Sequence, residues 1–241
     1  MGSINRKEKF VLYLDIMGFK ERVNRVDVED LKEQLLLFKT KNTKLKPLLN
    51  GGQPGNTLIE MAQFSDSIVL VSRDTTIDDL NRISKAATIL MQTALQTGFA
   101  LRGAIAKGDM VFDNDNQLFF GKALVDAYLL EEELCYYGVV FHESMEAVIS
   151  SSLVKNEKYM AIEDIKVPLK KGKSNHYHIA WYNIKGNYQK GDIRLLARKW
   201  LKSLRENVSG NPRVYLDNTL DIINIDNQNK SESESEVGDQ K

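Results

Sequence analysis

The stretch FVLYLDIMGFKERV, Phe10 to Val23, decides how the rest of the chain is read. Phe10 to Leu14 are apolar or aromatic, Asp15 follows directly, and Gly18 comes three positions later. A continuous apolar run rich in Val, Leu and Tyr predicts a central strand buried on both faces. A buried strand has no ordinary use for a carboxylate at its end, because an unpaired charge is costly to desolvate. Asp15 is therefore a candidate functional residue.

Working outward, VEDLKEQLLLFKTK carries Val28, Leu31, Leu35, Leu36 and Phe38 at helical spacing. LLNGGQPGN reads as a glycine-proline loop. TLIEMAQF and SIVLVSR read as two strands joined by a tight turn at Ser65-Asp66. Residues 77–97 predict a helix capped by Asp74 or Thr75, with Asp78 and Asp79 in its first turn and Gly98 as its stop. Ile77, Leu80, Ile83, Ala87, Leu90 and Ala94 give it one apolar stripe. FALRGAIAKGDMVFDNDNQLFFG then reads as strand, turn, strand, with DNDN as the turn. KALVDAYLLEEEL predicts a helix and YGVVFHES a strand.

The order β-α-β-β-α-β with an inserted hairpin is the ferredoxin-like pattern, an α/β (α+β) fold. We expect this domain over residues 8–150 and a C-terminal extension over 151–226, followed by a disordered acidic tail over 227–241. The extension begins with a hairpin closing on YHIAWYNI. An amphipathic helix, DIRLLARKWLKSLREN, and a short one over NTLDIINI complete it.

Lys and Arg number 33, as do Asp and Glu, so no global field recruits nucleic acid or membrane. A single cysteine, Cys135, excludes an intrachain disulfide and a cysteine-based zinc site, which fits a reducing, cytoplasmic setting. No apolar run reaches the roughly 20 residues needed to span a bilayer.

In a ferredoxin-like sheet the first and third strands lie side by side. Asp15 and Asp66 are then expected to face each other at one edge of the sheet. Two carboxylates that close repel unless a cation neutralises them, and hard oxygen ligands suit Mg²⁺ or Mn²⁺ with a phosphate substrate. The competing reading is a turn cap at Asp66.

Four segments in order resemble the class III nucleotide cyclases: LYLDIMGF and FSDSIVLV, the two metal motifs, then LRGAIAKGD and FFGKALVDAYLLEE. The resemblance implies a homodimer with active sites at the interface, cyclising a nucleoside triphosphate with release of pyrophosphate. It implies two divalent cations, Mn²⁺ or Mg²⁺, held by Asp15, Asp66 and the Ile16 carbonyl. Gly18 would let phosphate approach the turn and Phe19 would cover it, with free N–H groups of the following helix holding phosphate oxygens.

The departures from the family pattern are informative. The purine-reading lysine position is Ala62 and the acidic one is Leu118. Aligned on Ala127 and Glu131, the transition-state asparagine is Val125 and the arginine is Leu129; a slip of one places Asp126 there instead. The remaining cations are Arg102, ranked first, then Lys107, Lys122 and Lys171. Phe64 and Phe120 are candidate walls of the base pocket.

The whole chain resembles the stand-alone bacterial pyrimidine cyclases of Pycsar anti-phage systems. That resemblance implies UTP, or less favourably CTP, as substrate. The cyclic mononucleotide product, cUMP or cCMP, would activate a separate effector. An inactive nucleotide-binding dimerisation module and a polymerase-like palm are the alternatives. His176 and His178 form a weak metal candidate, and His142 is expected to be structural.

Overall fold

A computed structural model describes residues 7–42, 45–53, 55–151, 162–183, 193–206 and 208–238, with side chains through residue 224. The predicted first strand is β1, Glu8–Ile16. After it come α1 (Phe19–Arg25), α2 (Val28–Lys41) and α3 (Leu45–Asn50), a short helix that runs into the start of the expected loop. The hairpin β2 (Ile59–Phe64) and β3 (Ser67–Ser72) turns at Ser65-Asp66, where Ser65 takes a left-handed φ of 50°. Helix α4 spans Ile77–Thr97, as its stripe predicts, but its cap is Thr76. Thr76 and Asp79 form a reciprocal capping box, which a search for a capping residue at 74 or 75 misses by one position.

Strand β4 (Leu101–Asp109) is followed by a separate small hairpin, β5 (Val111–Asp113) and β6 (Leu118–Phe120), closed by the predicted turn. Asp113 fixes that turn by accepting from the Asn116 amide at 2.9 Å. The β-α-β-β-α-β order closes with β4, and helix α5 (Lys122–Glu133) and β7 (Val139–Phe141) follow it as a further helix and strand. Beyond a short helix α6 (Glu146–Ile149), the hairpin β8 (Ile162–Leu169) and β9 (Gly172–Ile179) joins the same sheet. The amphipathic helix is α7, Ile193–Arg205. The last helix, α8, starts at Asn211 and runs to Gly238, longer than the short helix expected and into the stretch expected to be a tail. Pro212 sits in its first turn, where a missing N–H leaves no hydrogen bond unmade.

The sheet order is β2-β3-β1-β4-β7-β9-β8, antiparallel except for β4 beside β7. The first four positions are the ferredoxin-like order, with β1 between β3 and β4. Side chains alternate along β1. Phe10, Leu12, Leu14 and Ile16 face the main core, against Leu80, Ile83, Ala87, Leu90 and Ala94 of α4. Each fully buried Leu or Ile there contributes about 1.5–3 kcal/mol. Val11 faces the opposite side, packed with Val69, Val71, Met110 and Ala123. Helix α5 covers that side through Ala123, Ala127 and Glu131, and the small residues let it lie close to β4. Gly103 is needed in β4 because a Cβ there would meet the Tyr13 carbonyl oxygen at 2.3 Å.

Candidate active site

The site is built where β1 ends. In register, Asp15 lies opposite Ser67 of β3 and opposite Arg102 of β4, and Ser67 lies opposite Phe64 of β2. Directly opposed residues present their side chains on one face. One row thus reads Phe64–Ser67–Asp15–Arg102, and the next reads Ala62–Val69–Tyr13–Ala104. Both rows lie on the α5 side of the sheet. The Ile16 amide donates to the Asp66 carbonyl at 2.9 Å, which ties the β2–β3 turn to the end of β1. The backbone thus brings Asp15 and Asp66 to the same end of the central strands, close enough for the Asp66 charge to act on the Asp15 carboxyl.

Both acids are half-buried, and no hydrogen bond or ion pair among the described residues engages either carboxylate. Burial and then the Asp66 charge push the Asp15 carboxyl above the usual range, and Arg102 offsets this in part. Such a pair is an unneutralised donor set. Among the described residues no trio of His, Cys, Asp or Glu could hold a metal ion. The expected ligand set is two carboxylates and a carbonyl, and hard, unpaired oxygens of this kind fit Mg²⁺ or Mn²⁺.

Gly18 caps α1 with φ 71°, and a Cβ there would meet nothing within 4 Å. The left-handed backbone, rather than crowding, calls for glycine. Phe19 lines a cavity of about 370 Å³ with Lys32, Leu35, Leu36, Lys39, Gln63 and Ser65, beside the turn.

Arg102 is committed elsewhere. Its Nε donates to Glu131 Oε1 as an ion pair, and a terminal nitrogen donates to the Leu134 carbonyl at 3.0 Å. The Tyr215 ring of α8 lies 5.9 Å from its guanidinium carbon. A guanidinium so engaged does not await a departing charge. Lys107 pairs with Glu8 at 2.8 Å and Lys122 with Asp126, while Lys171 lies in the turn after β8.

Phe64 stays on the pocket side, but its ring meets Phe119, at 5.3 Å between centroids. Phe112 extends the cluster at 4.6 Å from Phe119. Leu118 and Phe120 alternate to the outside and are 51% and 58% exposed. A three-residue strand gives too little period to choose between adjacent phenylalanines.

Sequence reasoning also missed Tyr13, whose hydroxyl lies 2.7 Å from Ser67 Oγ. Its i, i+2 spacing from Asp15 was the available signal. Glu131 entered only as an alignment anchor, yet it is buried with its carboxyl pushed up to about 7, by desolvation first and with Arg102 opposing. His142 caps the turn after β7 by accepting from the Ser144 amide, the structural role expected.

No protein-family model matches the chain. No curated protein matches it in sequence. Solved structures do match. The catalytic core of a rhodopsin-guanylyl cyclase with converted specificity, in complex with ATPalphaS, aligns at TM-score 0.51 and 13% identity, over 72% of this chain and 95% of that one. Two adenylate cyclase structures from Trypanosoma brucei, described in their monomeric state, align at TM-scores 0.50 and 0.51 with 10% and 11% identity. They cover 74% and 75% of this chain and 92% and 91% of their own. No helix among the described residues is long and apolar enough to cross a membrane. At these identities the likeness is one of architecture: the chain has the fold of the class III cyclase catalytic domains.

Proposed function

We propose that the protein is a nucleotide cyclase acting on a pyrimidine nucleoside triphosphate, UTP before CTP. The observation that carries the reading is the unpaired acid pair of a cyclase-like sheet, Asp15 at the end of β1 and Asp66 in the turn that leads into the adjacent β3. Asp15, Asp66 and the Ile16 carbonyl would hold divalent cations, which would supply Lewis acidity at the ribose 3′-hydroxyl and offset triphosphate charge. The protein's own part is orientation. The Gly18 turn leaves open space over the backbone, and Phe19, next in the chain, lines the cavity beside the β2–β3 turn. The 3′-oxygen is brought in line with the α-phosphorus, pyrophosphate leaves, and the hydroxyl proton passes to solvent or to a nearby carboxylate.

Ala62, Phe64 and Phe119 form an apolar wall where a purine reader would need polar groups, and Leu118 offers none. A pocket of this kind gives no hydrogen-bond preference for adenine or guanine, and the choice of a pyrimidine rests on the family resemblance. We further propose a homodimer. Val125 and Leu129 stand outward on α5 at 53% exposure each, Tyr128 of the same helix is also exposed, and so are Leu118 and Phe120 of the strand β6 that precedes it. Apolar exposure on this scale marks an interaction surface. The cyclic product fits a cytoplasmic second messenger, and an anti-phage effector remains part of the proposal through the family resemblance alone.

The test is incubation of purified protein with Mn²⁺ and each of the four ribonucleoside triphosphates, with products resolved by mass spectrometry. Cyclic UMP or cyclic CMP is the expected product. Binding without turnover would support the inactive module instead.

A further inference from the structure

Arg102 poses a problem for the acid pair. It stands directly opposite Asp15 across the β1–β4 ladder. Opposed Cβ atoms on antiparallel strands lie about 4.5–5.5 Å apart, well within reach of a guanidinium. An Asp15–Arg102 ion pair would occupy the carboxylate that the proposed function requires for a cation. The structure avoids it. Arg102 turns away to Glu131, at the buried end of α5, and to the Leu134 carbonyl just beyond. Its side chain is 13% exposed and that of Glu131 is 2% exposed. The Tyr215 ring of α8 lies 5.9 Å from the guanidinium carbon, and Asn218 and Thr219 of the same helix bind the Cys135 carbonyl and the Tyr137 amide at 2.8 and 2.9 Å.

We propose that Glu131 is a positioning residue: it holds Arg102 off Asp15, so that the acid pair stays free to bind a divalent cation. The inference rests on the metal reading of the proposed function. The physical reason is the cost of a buried, unpaired guanidinium. With the Glu131 charge gone, Arg102 turns to the acid directly opposite it, and that acid is Asp15. Cation and guanidinium then compete for one carboxylate.

The test is Mn²⁺ binding to the full chain without nucleotide, by electron paramagnetic resonance at pH 8, with thermal unfolding run alongside. Glu131→Gln preserves shape and is expected to weaken Mn²⁺ binding at least about tenfold. Adding Arg102→Met to it is expected to restore binding to within about threefold of wild type, because the competitor is removed. Arg102→Met alone is expected to keep Mn²⁺ binding. Unchanged binding in Glu131→Gln overturns the proposal. So does weak binding that persists in the double variant, which would mean that Glu131 acts only through the fold. A wild-type protein that takes up no Mn²⁺ overturns the metal reading itself, and this inference with it.

Discussion

The amide of Ile16 donates to the carbonyl of Asp66 at 2.9 Å, so the end of the first strand and the tip of the β2–β3 turn are held as one unit. The bond uses the Asp66 backbone and leaves its carboxylate unengaged among the described residues. Asp66→Ala keeps the carbonyl. The variant is expected to unfold within about 3 °C of wild type and to lose at least about a hundredfold in cyclase turnover, roughly 2.7 kcal/mol in barrier. Turnover with Mn²⁺, set beside a thermal melt, checks both halves. Full activity in this variant would sink the assignment of Asp66.

The outward face of α5 carries Val125 and Leu129 one helical turn apart, each 53% exposed. Leu129→Asp, or Val125→Asp, places a charge on that face without touching Ala123, Ala127 or Glu131 beneath. We expect the dimer to dissociate and activity to fall together with the dimer fraction. Light scattering coupled to gel filtration, compared with turnover across protein concentration, is the measurement. A monomeric wild type would remove the basis of the expectation.

At Gly18, φ is 71° and no atom stands within 4 Å of an added Cβ. Gly18→Ala therefore meets only the backbone penalty of the left-handed region, about 1–2 kcal/mol, with no clash to add. Denaturant unfolding should show a loss of this size. A loss above about 4 kcal/mol would mean that side-chain crowding has been overlooked.

Glu131 should impose a pH dependence on stability. Its carboxyl is pushed from 4.5 up to about 7 in the folded chain. The folded state then holds this proton more tightly than the unfolded state does. The stabilising contribution is complete below pH 4.5 and is lost as pH rises through about 7. Glu131→Gln removes this dependence. Relative to wild type, the variant should gain on the order of 3 kcal/mol between pH 4.5 and pH 8. Denaturant titrations at both pH values report the difference. An equal offset at the two would show that Glu131 ionises normally.

Legibility followed the range of the interaction. The 3.6-residue stripe of α4 and the unbroken run of β1 are local patterns, and the structure returns both, α4 with the same ends. The cap moved to Thr76 because a capping box depends on which of three adjacent polar residues turns inward. The phenylalanine that meets Phe64 is Phe119 rather than Phe120, and a three-residue strand offers no period to fix that facing in advance.

Asp15 and Asp66 could be paired from the sequence because strand order in a β-α-β-β-α-β chain follows from chain direction and connection rules. The fate of Arg102 could not. Its position in β4 put it beside Asp15, and only the packing of α5 and α8 decided that the guanidinium turns to Glu131 and Tyr215 instead. Strand and helix periods are written along the chain, residue by residue. The partner of a long, flexible cation is chosen by whatever distant segments fold around it, and that information exists only in three dimensions.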